Sequence, residues 1–397
     1  MSSDPIVIAS YARTPIGGFQ GTLSSVKATD LGATAVKAAV QRAGFAEVGA
    51  PTIDRIYMGC VVSAGLGQAP ARQAAIGAGL SHGVQATTVN KMCGSGMQAT
   101  IMAYEAIASG AADVVIAGGM ESMSNAPYLL AKHRSGARMG HDSIKDAMFL
   151  DGLEDAYEPG VLMGVHAEAA ARRFEFARKE QDAYAVESVR RAQAAISSGA
   201  FDEEVTPVEV TTRSGNAVVT VDEQPGNARI DKIPTLKPAF GKDGTITAAS
   251  SSSISDGAAA LVLTRRSIAD KLGLNVVARI RGTGGHAHDL GWFATAPGPA
   301  MKRAMEKAQW SASDVDLFEV NEAFAVVAMI AMRELNVPHA KMNVNGGACA
   351  LGHPIGASGA RIIATLLSAL KRRGGKRGVA GVCLGGGEAT AIAVELI

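Results

Sequence analysis

A cysteine among small residues is the first place in this sequence where chemistry is expected. Cys93 lies in residues 90–97, Asn-Lys-Met-Cys-Gly-Ser-Gly-Met, between a partly β-branched stretch (86–89) and a helical pattern over about 98–109. A strand, a glycine-rich turn and a helix start would place the thiol at a helix N-terminus, where backbone N–H groups and the helix dipole favour a thiolate. We therefore expect Cys93 to be a nucleophile; the alternative is a small buried core residue.

Three further patches join reactive side chains to glycine, at residues 321–325, 343–354 and 383–387. His353 is the best candidate for a base that activates a thiol, and Pro354 after it suits the first helical position. Cys383 is a second thiol, before three glycines; a buried strand cysteine is the alternative. The Asn321 amide could hold a water or a carbonyl oxygen, or cap the strand end. Glu322 has no partner that the sequence identifies.

Other kinds of site find little support. His286 and His288 come nearest to a metal pair, but no third ligand lies at a usual spacing. No Walker-type loop is present, and residues 94–96 lack the third glycine of a dinucleotide fingerprint. We expect Cys60 and Cys349 to be packing residues. The sequence thus predicts neither a metal centre nor a nucleotide cofactor site.

Composition excludes several classes of protein. The 397-residue chain is 47% apolar and 19% charged, so a large core is expected and disorder is not. With a net charge of +1, 5% aromatic residues and no Lys/Arg-rich run, no nucleic-acid surface is predicted. No apolar run is long enough for a membrane, and residues 1–5 have no leader composition. Four cysteines make no disulfide framework, so we expect a reducing, cytoplasmic location.

Strand and helix patterns alternate in both parts of the chain, which indicates a mostly parallel sheet covered on both faces. From 121 to 244 the texture changes. Frequent prolines and glycines and denser Arg and Lys indicate an inserted, loop-rich lobe, with helices at about 164–174 and 178–197. The predicted organisation is an N-terminal half at 1–120 and 245–272, the inserted lobe at 121–244, and a C-terminal half at 273–397.

The second half repeats landmarks of the first. Matched landmarks lie about 260 residues apart: Cys60 and Asn321, Cys93 and His353, Gly118 and Gly385. His353 would open a helix as the Cys93 turn does. A strand over 113–117 would be closed by Gly118 and its neighbour, as three glycines close the last strand. A duplicated α/β domain is the simplest account, and pseudo-two-fold packing would bring Cys93 and His353 to related corners of one site.

Taken together, the four patches resemble the motifs of the thiolase family, in the family's order and over nearly the whole chain. The resemblance implies duplicated α/β domains packed as a layered αβαβα core. It also implies that the inserted lobe, with its scattered Arg and Lys, holds the CoA portion of a substrate. The duplication inferred from the spacing of landmarks agrees with this expectation.

Roles follow from the same resemblance. Cys93 takes the acyl group as a thioester, and His353 activates Cys93. Together with a water held by Asn321, His353 also stabilises the oxygen of a thioester enolate. Cys383 is the acid/base that removes or returns the α-proton, and the N–H groups of Cys93 and Gly385 form a second oxyanion hole. Condensing two thioesters does require a nucleophile, a separate base and two electrophilic pockets. An ordinary thiol pKa of about 8.5 means that both cysteines need local help.

Within the family, the chain is similar to the acetyl-CoA C-acetyltransferases. Residues 134–146 and 151–153 resemble their tetramer-forming loop. The positions implied to contact substrate are Met163 in the acyl pocket, Ser252 at the pantetheine arm, Phe293 and Phe324. Departures from the usual residues occur at Leu162, Ala249, Ser250, Phe293 and Ala389. They affect the acyl pocket and the CoA contacts and leave the chemistry intact.

The sequence therefore predicts a reversible, ping-pong condensation of two acetyl-CoA to acetoacetyl-CoA and CoA through an acyl-Cys93. It predicts no metal or redox cofactor, and a homotetramer or homodimer. One alternative is a broader degradative 3-ketoacyl-CoA thiolase, with the same residues and a longer acyl pocket. Another is a catalytically silent acyl-CoA carrier or scaffold. A decarboxylating condensing enzyme is disfavoured, because that chemistry usually lacks the thiol found at Cys383.

Overall fold

The structure is a computed structural model that describes residues 4–45, 47, 49, 52–212 and 215–397. Residues 1–3, part of the stretch predicted to lack a leader composition, lie outside this range. In chain order the strands are β1 (Ile6–Arg13), β2 (Gly17–Gly18), β3 (Arg55–Gly59), β4 (Gln85–Val89), β5 (Val114–Ser122), β6 (Tyr128–Leu129), β7 (Lys145–Asp146), β8 (Val208–Thr212), β9 (Gly215–Val219), β10 (Ser255–Arg265), β11 (Ala278–Ala287), β12 (Leu317–Val320), β13 (Arg377–Leu384) and β14 (Glu388–Leu396). The helices are α1 (Ala28–Ala43), α2 (Pro70–Gly77), α3 (Ser95–Ala108), α4 (Met163–Arg173), α5 (Arg178–Ser197), α6 (Glu223–Asn227), α7 (Arg266–Leu272), α8 (Pro297–Ala308), α9 (Ala325–Leu335), α10 (Ala348–Leu351) and α11 (Ser358–Arg373).

One large sheet runs through the molecule in the order β12-β13-β14-β11-β1-β10-β5-β3-β4, with β2 beside β10. Strands β4, β3 and β5 are parallel, as are β12 and β13, whereas the strands between these groups are antiparallel. The prediction of a mostly parallel sheet is therefore wrong. Parallel neighbours require a long crossover, and the three-residue turn from β13 to β14 is too short for one.

Helices cover the sheet in layers. Helices α1 and α2 pack on the outer face of the N-terminal strands, and α8 and α9 on the outer face of the C-terminal strands. Between the two parts of the sheet lie α3 and α11, which pack against each other and against strands of both parts. The resulting order of helix, sheet, helix, sheet and helix confirms the expected αβαβα core.

The internal repeat is visible in the topology. The units β3-α3-β5 and β12-α11-β13 each join two parallel strands, with a central helix between them in the chain. The two parts of the sheet meet where β1 lies beside β11, through the pairs Val7–Arg279 and Ile8–Ala278. This arrangement confirms the duplicated α/β domain, and it brings the N-termini of α3 and α11 to the middle layer.

Glycine ends α1 but does not end β5. Gly44 caps α1 with a left-handed φ of 96°. Strand β5 was expected to stop before Gly118, yet it continues to Ser122. A Cβ on Gly118 would lie 2.2 Å from the Ala259 carbonyl oxygen, and one on Gly119 would lie 2.0 Å from the Gly356 carbonyl oxygen. Gly118 therefore allows close approach of neighbouring backbone within the sheet, and Gly119 allows close approach of the turn before α11.

Across the part of the chain that the structure describes, no helix has both the length and the apolar composition that membrane crossing requires. The proposed boundaries of the inserted lobe stay a prediction. Strand β10 lies between β1 and β5 in the sheet, after the stretch assigned to that lobe. The longest helix in the lobe is α5, whose buried face supplies side chains to the site described below.

Candidate active site

The turn that carries Cys93 is held by backbone bonds and by Ser95. Met92 has a φ of 47°, a left-handed conformation that is uncommon outside glycine. The Gly94 N–H donates to the Lys91 carbonyl at 3.0 Å. Ser95 Oγ accepts the Lys91 N–H at 2.8 Å and donates to the Met92 carbonyl at 2.6 Å. The chain thus reverses directly after β4, and the half-buried Cys93 stands just before α3.

Two backbone N–H groups face the Cys93 sulfur, its own and that of Gly385. Burial nevertheless raises the pKa of the Cys93 thiol to about 12, while the two N–H groups only partly oppose this effect. The prediction that the helix N-terminus favours a resting thiolate is therefore wrong, because desolvation of the charged form dominates. The thiol needs a base, and the two N–H groups are placed to hold an oxyanion formed by attack of this sulfur.

Cys383 lies at the end of β13 and is fully buried. Burial, and secondly the charge of a Cys93 thiolate, raise its pKa well above the ordinary value, so the two thiols are near neighbours. The following turn contains Gly386 and Gly387 at φ values of 93° and 78°, where other residues would be strained. This turn aims the Gly385 N–H at Cys93 while leaving the Cys383 thiol beside it.

The His353 imidazole is buried and held through one nitrogen. Its Nδ1 lies 2.5 Å from the Ser358 hydroxyl, which donates its own proton to the Pro354 carbonyl at 3.0 Å. Nδ1 must then be the donor, which leaves a lone pair on Nε2, a buried atom to which no described residue is hydrogen-bonded. Burial, with the charge of Arg361, lowers the pKa of His353 to about 3. A neutral imidazole with a free Nε2 is the form that accepts a thiol proton.

The segment carrying His353 is a turn and not the first turn of α11. The helix was predicted to open at Pro354 but begins at Ser358. The Gly356 N–H donates to the Glu121 carboxylate at 2.9 Å, which holds this peptide outside the helix. Ile355, in the same turn, lies in one apolar cluster with Cys93. The turn therefore packs against the nucleophile turn from the opposite half of the molecule.

Asn321 follows β12, and its side chain is fully buried, with neither amide atom hydrogen-bonded to any residue that the structure describes. Its backbone N–H donates to the Gly381 carbonyl at 3.0 Å, which fixes the residue beside β13. Leaving both a donor and an acceptor unpaired in a protein interior costs about 1–3 kcal/mol for each group. This amide, like His353 Nε2, is therefore available to a substrate oxygen or a bridging water.

Glu322 has a dense set of partners, which the sequence did not identify. Its carboxylate accepts from Tyr184 Oη, Ser188 Oγ and Asn343 Nδ2, each at 2.8 Å, and from the Cys349 N–H at 3.0 Å. Four donors satisfy both oxygens of this buried carboxylate. It therefore ties the Asn321 loop to α5 and α10. Two hydroxyl residues four apart on the buried face of a predicted helix were the signal that could have pointed to it.

An apolar wall lies beside the two thiols. Phe293 and Phe324 are buried with ring centroids 6.2 Å apart, and Phe240 meets Phe324 edge-on at 5.7 Å. Met163, at the start of α4, packs against the same cluster, which also contains Cys383. Met163, Phe293 and Phe324 thus belong to one apolar cluster, and their contact with substrate stays a prediction. Phe240 was missed, because it lies in an irregular segment with no periodic pattern.

The remaining predicted positions fall into two groups. Ser252 is half-buried and donates its backbone N–H to the Ala323 carbonyl at 2.9 Å, so it borders the Asn321 loop. His286 and His288 bond to each other, with Nε2 of the first 3.3 Å from Nδ1 of the second. In the described ranges no three His, Cys, Asp or Glu side chains are grouped as metal ligands would be.

An ion pair links the two turns that supply the N–H groups facing Cys93. Lys91 Nζ contacts Glu388 Oε2, with side chains 28% and 37% exposed. Exposed pairs of this kind add only about 0.2–1 kcal/mol to stability. Because the pair spans the oxyanion site, we expect Lys91→Met or Glu388→Gln to slow Cys93 acylation by about 5-fold, with little further loss in the double variant.

The measurement for this pair is the rate of Cys93 acetylation by acetyl-CoA in the two single variants and the double variant. Lys371→Met is the matched control, since Lys371 forms a more exposed ion pair with Glu203, in which the two side chains are 62% and 45% exposed. It should leave the rate unchanged. Fully additive losses in the double variant would show that Lys91 and Glu388 act separately.

Comparison with known proteins agrees with this geometry. The family profile described as "Thiolase, N-terminal domain" matches residues 6–267, and that described as "Thiolase, C-terminal domain" matches residues 274–396. "Acetyl-CoA acetyltransferase 2" of Arabidopsis thaliana is 50% identical over 99% of this chain and 97% of its own length. "Acetyl-CoA acetyltransferase" of Schizosaccharomyces pombe is 45% identical over the whole of both chains, and that of Cupriavidus necator 46% over 98% and 99%. Because these two profiles together match nearly the whole of a chain that folds as a duplicated αβαβα core, the chain belongs to the thiolase family.

Proposed function

We propose that this thiolase catalyses the reversible condensation of two acetyl-CoA molecules to acetoacetyl-CoA and CoA, as an acetyl-CoA C-acetyltransferase. The observation that carries the proposal is that the Cys93 and Cys383 thiols are near neighbours, and that they and His353 Nε2 are hydrogen-bonded to no side chain among the described residues. We propose acetyl as the acyl group because relatives that match over nearly their full length are named acetyl-CoA acetyltransferases. No metal or redox cofactor is proposed, because CoA is part of substrate and product.

In the first half-reaction, His353 Nε2 accepts the Cys93 proton and the sulfur attacks the acetyl carbonyl carbon. The negative charge that develops on the carbonyl oxygen is held by the N–H groups of Cys93 and Gly385. Collapse of the tetrahedral intermediate breaks the bond to the CoA sulfur, which takes a proton from Cys383. The enzyme then carries acetyl-Cys93, a Cys383 thiolate and a His353 imidazolium.

In the second half-reaction, the Cys383 thiolate removes an α-proton from a second acetyl-CoA. The resulting enolate oxygen is stabilised by the His353 imidazolium and by a water on Asn321. The enolate carbon attacks the acetyl group on Cys93, and the Cys93 sulfur leaves and recovers its proton from His353. The Cys93 proton has returned through His353, the Cys383 proton has passed to CoA, and the α-proton has replaced it on Cys383, so the resting enzyme is restored.

Chain length is proposed to be limited by the aromatic wall of Phe240, Phe293 and Phe324. In thiolysis with CoA, we expect kcat/KM to fall by about 10–200-fold for each step that the pocket cannot accommodate, starting with 3-ketoacyl-CoA substrates longer than acetoacetyl-CoA. Phe293→Ala should recover part of the activity on longer substrates, because it removes a buried ring from the wall. The measurement is a thiolysis panel across acyl lengths.

Phe174→Ala is the matched control for the panel, since Phe174 packs on the same apolar cluster but at the far end of α4. It should not change chain-length preference. Equal kcat/KM across the panel for the unmodified enzyme would favour the broader degradative 3-ketoacyl-CoA thiolase. Tight CoA binding without any turnover would favour the silent carrier.

We also propose a cytoplasmic homotetramer or homodimer. The large apolar side chains of Met139 and Ile144 are exposed on the stretch that resembles a tetramer-forming loop, and those of Tyr128 and Leu130 are exposed just before it. Such a group of exposed apolar residues supports an assembly surface. The four free cysteines support a reducing compartment. Light scattering would measure the mass of the assembly in solution.

A further inference from the structure

A buried carboxylate outside the reacting groups joins three loops at the edge of the site. Glu121, near the end of β5, has no exposed surface. Its oxygens accept the N–H of Val61 at 2.9 Å, of Val62 at 3.1 Å and of Gly356 at 2.9 Å. The Cys60 thiol lies 3.6 Å from Oε1. The loop after β3, the end of β5 and the His353 turn thus share one anchor.

On its carbonyl side, Gly356 is enclosed by other glycines. Its carbonyl oxygen would lie 2.5 Å from a Cβ on Gly59, 3.1 Å from one on Gly96 and 2.0 Å from one on Gly119. The oxygen therefore fits against three positions that must lack a side chain. One of them, Gly96, lies in the first turn of α3, three residues after Cys93. The Gly356 peptide is accordingly clamped between Glu121 and the start of the nucleophile helix.

We propose that Glu121 is a positioning residue for acyl transfer: its ionised carboxylate holds the Gly356 peptide, and with it the turn carrying His353, in register with Cys93. The inference rests on the proposed acyl transfer at Cys93. Glu121 itself touches no reacting atom. It acts on the distance between an imidazole from one half of the molecule and a thiol from the other.

The pH at which Glu121 ionises determines when both of its oxygens can accept these hydrogen bonds. Burial raises the pKa of Glu121 to about 7, against the opposing effect of the three N–H groups. Above that pH both oxygens accept; below it, one carries a proton and faces an N–H donor. The folded-state pKa is higher than the unfolded one, so protonation at this group favours the folded chain. Loss of rate on acidification through this group would therefore not come from unfolding.

Two titratable neighbours act on Glu121, the thiols of Cys60 and Cys93, while Asp256 on the adjacent β10 bonds the Ser124 N–H instead. The Glu121 charge also raises the pKa of Cys93, which disfavours its thiolate. This charge effect has the opposite sign to positioning. If it dominated, removing the charge would speed acylation of Cys93. If positioning dominates, removing the charge slows it.

The test is single-turnover acetylation of Cys93 by acetyl-CoA, followed by mass spectrometry from about pH 5.5 to about pH 8.5. For the unmodified enzyme we expect the rate to fall on the acid side with an apparent pKa near 7, a range in which neither His353 nor Cys93 titrates. Glu121→Gln should lower the rate at about pH 8 by about 10–100-fold and should lack the acid limb.

Asp54→Asn is the matched control. The Asp54 carboxylate accepts the Asp113 N–H at 2.8 Å and the Val114 N–H at 3.0 Å, at the other end of β3 and β5. This variant should keep both the rate and the acid limb. The thermal unfolding midpoint of each variant verifies that it is folded at the assay temperature.

A flat profile in the unmodified enzyme would overturn the inference without any variant, so a Glu121→Gln protein that does not fold leaves it testable. A folded Glu121→Gln that acetylates as fast as the unmodified enzyme, or faster, would also overturn it. Failure of the unmodified enzyme to acetylate Cys93 at any pH would instead overturn the proposed function.

Discussion

Replacing Cys93 with alanine is expected to lower the rate of acetoacetyl-CoA formation by about 10⁴-fold or more, since removal of a nucleophile eliminates the covalent route. The structure places this thiol between two N–H groups and beside a second thiol, where an acyl intermediate can be held. Intact-protein mass spectrometry after incubation with acetyl-CoA should show one acetyl group on the unmodified enzyme and none on Cys93→Ala.

Cys349→Ala controls for nonspecific acetylation of thiols. Cys349 is half-buried like Cys93, and its sulfur contacts only the Glu322 carbonyl, at 3.7 Å, among the hydrogen bonds of the described residues. This variant should be acetylated once and should turn over normally. If the unmodified enzyme turns over while peptide mapping finds Cys93 free of acetyl groups, the covalent route proposed here is wrong.

The second large effect is expected at Cys383. Cys383→Ala should leave formation of acetyl-Cys93 measurable but reduce condensation by about 10²–10⁴-fold, because the group that removes the α-proton is gone. The measurements are the yield of acetyl-enzyme, exchange of the α-protons of a bound acyl-CoA with deuterated solvent, and the overall rate. Exchange should disappear together with condensation.

Cys383→Ser is the informative companion variant, since a hydroxyl keeps the size of the group but is a much weaker acid than a thiol. Its proton exchange should lie near that of Cys383→Ala. If either variant fails to form acetyl-Cys93 at all while remaining folded, Cys383 is needed in the first half-reaction and the division of roles is wrong.

The candidate site residues could be predicted from the sequence because the residues next to them in the chain are distinctive. Cys93 and His353 each stand next to glycine or proline in a turn, Cys383 comes two residues before a run of glycines, and matched landmarks repeat about 260 residues apart. Helices with strong caps were equally accessible, such as α1, which ends at Gly44. In these cases the physical cause lies within a few residues of the effect.

The features that could not be predicted from the sequence depend on contacts between residues far apart in the chain. Glu322 accepts a hydrogen bond from Tyr184, 138 positions away in the chain, and Glu121 accepts one from Gly356, 235 positions away. The raised pKa of Cys93 and the late start of α11 follow from the same kind of contact, since burial and a distant carboxylate overcome the helix dipole and the proline signal. No pattern within either segment records its partner, so these features required the folded chain.

The contact between α3 and α11 in the middle layer has a consequence for how this enzyme could be divided. A fragment ending near residue 273 would carry the Cys93 nucleophile without its base, and the complementary fragment would carry His353 and Cys383 without the nucleophile. Neither piece could retain partial turnover. Activity recovered on mixing the two fragments would therefore be proportional to the number of fragment pairs in which α3 packs against α11. Catalysis would thus report assembly of the two halves.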